Sequence, residues 1–165
     1  MVLFDKNWIY HHQLARFNHT TCDVRRGQDI IHPNTSHCNI MLIAANTDAG
    51  VEPVHRFLYA RVLGIYHANV IYKGPQSMDN RPLRIEFLWV RWYTWIQSHN
   101  NLQFDCLTFP PMANKNSFGF VDPAAVLRGC HIIPVFSSGK VHTDRCGLSR
   151  CAKDANDWSY YYANW

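Results

Sequence analysis

The sequence has no long apolar stretch and no N-terminal segment that resembles a secretory signal. No run of 18 apolar residues occurs, and Met1–Tyr10 includes Asp5 and Lys6. A membrane-spanning helix needs about 20 apolar residues, and a signal peptide needs an uninterrupted apolar core. We therefore predict an intracellular chain, nuclear or cytoplasmic, with no membrane partner and with its six cysteines reduced.

Catalytic signatures are also missing. The sequence contains no G-x-G-x-x-G or G-x4-G-K-[ST] phosphate loop and no G-x-S-x-G nucleophile motif. Cys130 and His131 are adjacent, so on a strand their side chains point to opposite faces and cannot form a dyad. Seven carboxylates are candidates for two-metal chemistry but show no paired spacing: Asp23, Asp29, Asp48, Glu52, Glu86, Asp105 and Asp122. We predict that the chain is not an enzyme and uses no cofactor, with an enzyme remnant as the weaker alternative.

Closely paired metal ligands are absent as well. Structural zinc sites favour spacings such as C-x2-C, which do not occur here. His142, Cys146 and Cys151 form a looser H-x3-C-x4-C pattern, and a fourth ligand would come from the segments around Cys38 or Cys130. Cys38 and Cys130 lie in apolar segments, where a free thiol behaves as a small hydrophobic residue. The sequence therefore predicts no metal site.

The excess of positive charge is small. Sixteen Lys and Arg against twelve Asp and Glu give a formal charge of +4, whereas a dedicated duplex-DNA domain usually shows a basic stripe. If the chain binds nucleic acid, five residues are the candidates for phosphate contacts: Arg25, Arg26, Lys73, Arg81 and Arg84.

The strongest structural pattern is a pair of strand-like segments. Leu83–Trp95 places Ile85, Phe87, Trp89, Arg91 and Tyr93 on one face, which is apolar in four of five positions. Phe57–Tyr72 alternates similarly, and a turn-rich decapeptide separates the two segments. We predict a long antiparallel hairpin. We expect Arg91 to pair with Asp122 or Glu86, or to extend its head to the mouth of a barrel.

Shorter segments add further elements. Cys38–Ala45 predicts a buried strand. In 118–136, Asp122 is suited to N-cap one helical turn that runs to Arg128 and ends at Gly129. Pro134 predicts that the following strand lies at an edge or a bulge.

These elements predict a single all-β or β-rich domain over residues 1–165. We expect a twisted sheet closed into a small barrel, with one short helical turn and long loops. Residues 1–37 would be peripheral, 38–136 the barrel core, 137–157 a loop and 158–165 a closing aromatic strand. Because the chain stops within that aromatic run, we expect it to be truncated, with an exposed strand edge that favours self-association.

Aromatic side chains crowd the end of the hairpin. Because alternation prevents all of them from facing one core, some should be exposed as a binding surface. The candidates are Trp92, Tyr93, Trp95, Tyr59 and Tyr66. Such rings can enclose a methylated lysine or stack on unpaired bases. The alternative is that they fill and cover a small barrel.

Several segments resemble a module in proteins encoded by Plavaka-type DNA transposons of basidiomycete fungi. The matching runs are FNHTTCDVRRGQD at 17–29, YARVLGIYHANV at 59–70, IEFLWVRWY at 85–93, FGFVDPAAVLRGCHIIPVF at 118–136 and DWSYYYANW at 157–165. The resemblance implies a position outside the nuclease core of such proteins, and no catalytic role. A fainter similarity, in the order of the same segments, is to the bromo-adjacent homology domain, a β-rich chromatin module.

Together these observations predict a non-catalytic recognition module from a transposon-encoded protein. It would bind a chromatin protein, a histone tail or another protein through the aromatic end of the hairpin. The first alternative is a nucleic-acid-binding accessory domain that supports transposition. The second alternative is an inactive transposon fossil.

Overall fold

The computed structural model describes residues 1–20, 26–44, 55–74, 81–96 and 105–164. They form twelve strands and three short 3₁₀ helices. The strands are β1 (Val2–His12), β2 (Ala15–Thr20), β3 (Arg26–Ile31), β4 (Asn39–Ile43), β5 (Phe57–Tyr72), β6 (Leu83–Trp92), β7 (Thr94–Ile96), β8 (Asp105–Thr108), β9 (Phe118–Val121), β10 (Val126–Gly129), β11 (His131–Pro134) and β12 (Tyr161–Asn164). The 3₁₀ helices are Pro123–Ala125, Phe136–Ser138 and Asp154–Asn156.

The predicted central hairpin is confirmed. β5 and β6 pair in antiparallel register from Ala60 opposite Trp92 to Val70 opposite Leu83, with a bulge between Val62 and Gly64. On its other edge β5 pairs first with β4 and then with β1. β9 extends the sheet beyond β6, and β10 extends it beyond β4. The result is a six-stranded antiparallel sheet around β5.

One face of this sheet carries the first core. Leu88 and Val90 of β6 and Val62 of β5 are fully buried there. The separate hairpin of β2 and β3 contributes Phe17 and Ile31 to the same cluster. β4 supplies Ile40 and Leu42, so the predicted buried strand in Cys38–Ala45 is confirmed.

The opposite face of the sheet carries the second core, beside a four-stranded sheet in the order β11-β12-β8-β7. Met41 and Tyr59 from the first sheet pack with Leu107, Tyr161 and other side chains in this cluster. β11, which contains Pro134, lies at the edge of the four-stranded sheet, as the sequence predicts.

The β-rich fold class is confirmed, since strands dominate the described residues and the helices are single turns. The described sheets are open and do not close into the predicted barrel. The aromatic segment near the C-terminus forms β12, which lies inside the four-stranded sheet between β11 and β8.

The predicted helical turn is shorter than expected. Asp122 does cap it, because its Oδ1 accepts a hydrogen bond from the Ala124 N–H at 2.8 Å. The turn ends at Ala125, and Val126–Gly129 forms β10 against β4. Gly129 is therefore a strand residue, not the helix terminator that the sequence suggested. Pairing with β4 satisfies backbone groups that one more helical turn would leave to solvent.

Candidate functional site

The four-stranded sheet covers only part of the face of the six-stranded sheet that carries the second core. Arg91 of β6 and Tyr93, which follows β6, are buried on this face, whereas Ile85 is exposed and Phe87 and Trp89 are half-buried. The matching positions of β5 are Tyr66, Ala68 and Val70. The part that this sheet leaves uncovered forms a cavity of about 680 Å³, which we call the outer groove. It is lined by Val2, Phe4, Ile9, Tyr66, Ala68, Val70, Ile85, Phe87, Trp89 and Phe120.

Strand pairing explains why apolar side chains from distant parts of the chain meet in the outer groove. Val2 and Phe4 of β1 lie opposite Tyr72 and Val70 of β5, and Phe120 of β9 lies opposite Trp89 of β6. Residues in direct register share a face. Alternate residues of four neighbouring strands therefore build one apolar surface.

Ring contacts give the groove a defined aromatic end. Phe120 contacts Phe87 edge-on, with ring centroids 5.5 Å apart, and lies 4.9 Å from the Trp89 ring. Tyr66 stacks on Phe87 at 5.7 Å, and Trp89 stacks on Phe118 at 5.5 Å. Such contacts hold the rings in place without covering the outer surface of Phe120, which is 69% exposed.

The five aromatic residues predicted as a binding surface lie in different environments. Tyr59 and Tyr93 are buried in the second core, where the Tyr59 hydroxyl donates to Asp105 and the Tyr93 hydroxyl donates to Asn39. Burial raises the pKa of Tyr93 well above its ordinary value. Trp92 packs against the first core, and Trp95 stacks on His55. Tyr66 alone among the five lines the outer groove.

Three of the basic residues predicted to contact phosphate have described side chains, and all three lie in or beside the β5–β6 hairpin. Arg25 lies outside the described residues, and Arg26 begins β3. Lys73 and Arg81 are exposed at the far end of the β5–β6 hairpin. Arg84 forms an ion pair with Glu86 of the same strand at 2.7 Å. Both side chains of this pair lie on the face opposite the outer groove, because they alternate with Ile85 and Phe87.

A second site of interest contains two arginines, of which Arg91 is buried and Arg61 is partly buried. Arg61 and Arg91 both donate to Asp157, at 2.6 Å and 2.5 Å. The predicted carboxylate partners of Arg91 are therefore wrong, because Asp122 caps a turn and Glu86 pairs with Arg84. Burial alone would lower the pKa of Arg61, but Tyr93, Asp157 and Tyr161 raise it overall.

Arg61 also lines a cavity of about 570 Å³, which we call the arginine pocket. Its lining includes Asn34, Thr35, Ser36, Arg61, Lys153, Asp157 and Trp158. Lys153 donates to the Pro33 carbonyl at 2.7 Å and to Asn34 Oδ1 at 2.8 Å. Burial lowers the pKa of Lys153, and the charge of Arg61 lowers it further.

His55 contacts the carboxylate of Asp105 through one ring nitrogen and a backbone carbonyl through the other. His55 Nε2 lies 2.9 Å from Asp105 Oδ1, and its Nδ1 lies 2.9 Å from the Phe57 carbonyl oxygen. Both ring nitrogens are thus engaged, which leaves none free to activate a nucleophile. Of the carboxylates considered above, Asp23, Asp48 and Glu52 lie outside the described residues.

The loose cysteine and histidine pattern does not converge on one point. His142 Nε2 lies 3.2 Å from Asp154 Oδ2, while Cys146 and Cys151 are exposed. Burial alone would raise the pKa of Asp154, but the N–H groups of Ser149 and Leu148 lower it below its ordinary value. Within the described ranges, no group of three His, Cys, Asp or Glu side chains is placed to hold a metal ion.

Sequence reasoning missed the residues that build the outer groove from β1 and β9. The alternation of Val2 and Phe4 was a usable signal, but nothing in a single sequence shows that β1 pairs with the second half of β5. Lys153 and Asp157 were also missed, because their role depends on contacts with Arg61, which lies more than ninety positions away.

Comparison with known proteins gives no match, whether with models of protein families, with curated proteins or with solved structures. Among the described residues, no helix is long and apolar enough to cross a membrane.

Proposed function

We propose that this chain is a non-catalytic recognition module that binds an uncharged, apolar segment of another protein in the outer groove. The observation that carries the proposal is the apolar sheet face that continues past the four-stranded sheet and is left uncovered by the described residues. We also propose an intracellular setting, nuclear or cytoplasmic, and an origin in a transposon-encoded protein, both supported by the sequence pattern and its resemblance.

The size of the apolar surface supports this function. Seven large side chains on this face are between 44% and 69% exposed: Val2, Phe4, Ile9, Tyr72, Leu83, Ile85 and Phe120. Aromatic side chains carry on the order of 150–250 Å² each, so Phe4, Tyr72 and Phe120 at about half exposure present roughly 250–430 Å². The four aliphatic side chains add to this area. Monomers rarely expose a contiguous apolar patch larger than a few hundred Å². One partner in a stable complex contributes about 800 Å².

The chemistry of the groove identifies the kind of partner. No charged side chain is among its described lining residues, so a buried charge on the ligand would remain unpaired and costly. This disfavours a methyl-lysine cage, which combines aromatic rings with nearby negative charge, and it disfavours phosphate. It favours aliphatic or aromatic side chains presented by an extended segment, which could also pair with β9 at the edge of the sheet.

The fainter resemblance described above supports a chromatin protein as the source of such a segment. Nucleic-acid binding has less support, because Arg84 is paired with Glu86 and Arg91 is buried.

The test compares Phe120→Asp with Phe136→Ser. Both phenylalanines are 69% exposed, but Phe136 lies away from the groove and contacts Trp158. The probes are uncharged peptides with alternating apolar and threonine residues, the same peptides with lysine at the apolar positions, and a trimethyl-lysine histone peptide. Binding is measured by anisotropy across a salt series.

We expect the uncharged peptides to bind the parent chain and Phe136→Ser equally, with little salt dependence. Phe120→Asp should weaken binding at least about tenfold, because a carboxylate would be desolvated against the ligand. Preference for the lysine or histone peptides, or binding that Phe120→Asp leaves unchanged, would refute the proposal. Sedimentation of each variant adds one further outcome: a dimer that Phe120→Asp dissociates would assign the groove to a second copy of this chain instead.

A further inference from the structure

We infer that the arginine pocket binds a terminal phosphate group, either as free phosphate or as a small phosphate monoester. This site is separate from the outer groove and does not depend on the function proposed for it. The inference rests on an excess of positive charge, on the donors around the cavity and on the recessed position of its arginine.

The charge balance of the pocket is positive. Two positive side chains, Arg61 and Lys153, line it together with one carboxylate, Asp157. Asp157 is already shared with Arg91, which lies behind it and is 4% exposed. Three cations therefore face one described carboxylate. Positive charge that is buried without a counter-charge is costly, and a bound anion would offset that cost.

The aromatic contacts of the arginines do not remove this imbalance. The guanidinium carbons of Arg61 and Arg91 lie 4.5 Å and 3.9 Å from the centroid of the Phe109 ring. A cation–π contact attracts a cation without neutralising it. Arg91 Nε is also buried and has no hydrogen-bond partner among the described residues. Arg61 Nη1 donates to Asp157 and to the Lys153 carbonyl oxygen, and Arg61 Nη2 donates to the Tyr161 hydroxyl oxygen. The cluster thus holds more positive charge than its one described carboxylate balances.

The rest of the lining offers hydrogen-bond donors suited to an oxyanion. Ser36 contributes a hydroxyl group, and Asn34 and Asn156 contribute side-chain amides. The Thr35 hydroxyl also lines the cavity, but it donates to the His32 carbonyl oxygen at 3.1 Å. The Lys153 ammonium has three protons, of which two are directed to Pro33 O and Asn34 Oδ1. The third proton is available to a ligand. Arginine and lysine beside hydroxyl groups are common partners of phosphate.

The shape of the pocket favours a terminal phosphate over a bridging one. The Arg61 side chain is 14% exposed, so it lies below the molecular surface. A phosphodiester in a duplex is flanked by sugars on both sides and cannot enter a recess of this kind, whereas a monoester projects from its carrier. The cavity volume of about 570 Å³ exceeds that of phosphate alone, which leaves room for a small organic group.

The test measures binding of inorganic phosphate and O-phosphoserine by calorimetry, and the midpoint of thermal unfolding in each, at constant ionic strength set with chloride. Lys153→Gln removes one pocket charge, Lys153→Arg retains it, and Lys115→Gln removes a charge from an exposed lysine outside the pocket. A 20-base-pair DNA duplex provides the phosphodiester comparison.

We expect saturable binding and a rise in the unfolding midpoint of about 3–5 °C at a ligand concentration tenfold above Kd. Lys153→Gln should weaken binding at least about tenfold because it removes a charge-assisted hydrogen bond, while Lys153→Arg and Lys115→Gln should bind within about twofold of the parent. Tighter binding of phosphoserine than phosphate would assign the site to a monoester, and equal binding would assign it to the free anion.

Three results would overturn the inference. The first is an unfolding midpoint that phosphate raises no more than chloride does. The second is an equal loss of affinity in Lys153→Gln and Lys115→Gln, which indicates a diffuse charge effect. The third is duplex DNA binding as tightly as phosphoserine with the same dependence on Lys153, which excludes a requirement for a terminal phosphate.

Discussion

Arg61 of β5 and Arg91 of β6 are direct cross-strand partners, and both donate to the carboxylate of Asp157. Like charges placed opposite each other on one sheet face destabilise the pairing. Asp157 follows the Asp154–Asn156 turn and lies between the two guanidinium groups. This one carboxylate therefore joins the central hairpin to the segment that leads into β12.

We predict that Asp157→Asn destabilises the fold strongly. The substitution keeps the shape of the side chain but leaves one buried and one partly buried guanidinium group without a counter-charge, a loss of about 3–5 kcal/mol. Urea unfolding should show the effect. Glu86→Gln is the control, because Glu86 forms an exposed pair with Arg84 and its loss should cost under about 1 kcal/mol. A similar cost for both variants would contradict the assigned role of Asp157.

The central hairpin was predictable because its information is local. Phe57–Tyr72 and Leu83–Trp92 carry a period-two pattern and bulky residues that suit strands. The cap at Asp122 was likewise readable from adjacent residues. The outer groove and the arginine pocket were not predictable in this way. The groove combines residues of β1 and β9, and the pocket combines Arg61 with Asp157. A single sequence contains no signal for such distant pairings.

The predicted apolar face of β6 illustrates the same limit. Ile85, Phe87, Trp89, Arg91 and Tyr93 do share one face, but the four-stranded sheet covers only the end with Arg91 and Tyr93. The opposite face, which looked mixed because of Arg84 and Glu86, contributes Leu88 and Val90 to the first core. The pattern gives the alternation of side chains, and packing between sheets decides which of them reach solvent.

We predict a clear contrast between two leucines of β6. Leu88 is 0% exposed in the first core, whereas Leu83 is 65% exposed beside the outer groove. Leu88→Ala should lower the free energy of unfolding by about 2–5 kcal/mol, through lost burial and a residual cavity. Leu83→Ala should change it by under about 0.5 kcal/mol. If urea unfolding gave the reverse order, the assignment of the two faces of β6 would be wrong.

Cysteine reactivity should follow burial. Burial raises the pKa of Cys130 to about 12 and raises the pKa of Cys38, while Cys146 and Cys151 are exposed. Because the thiolate is the reactive form, iodoacetamide at pH 8 should modify Cys146 and Cys151 before Cys38 and Cys130. Cys38 and Cys130 should react quickly only in denaturant. Peptide mass spectrometry measures each site, and equal rates in the native protein would contradict their burial.

His67 should make stability depend on pH. Its Nδ1 lies 2.6 Å from His12 Nε2, and its ring stacks on Tyr10 with centroids 4.5 Å apart. Burial lowers the pKa of His67, and the positive charges of Arg84 and His12 lower it further, against an opposing effect of Glu86. The folded state therefore favours the neutral imidazole.

The sign of the effect follows from proton binding. As pH falls below about 6.5, the ordinary pKa of histidine, the unfolded chain takes up a proton at His67 before the folded chain does. The contribution of His67 to stability is thus complete above that pH and is lost as pH decreases toward the lowered pKa. The free energy of unfolding should decrease between pH 7.5 and 5.5, and His67→Gln should reduce this slope. His131→Gln, which alters an exposed ring, should keep the parent slope, and equal slopes in all three proteins would refute the assignment to His67.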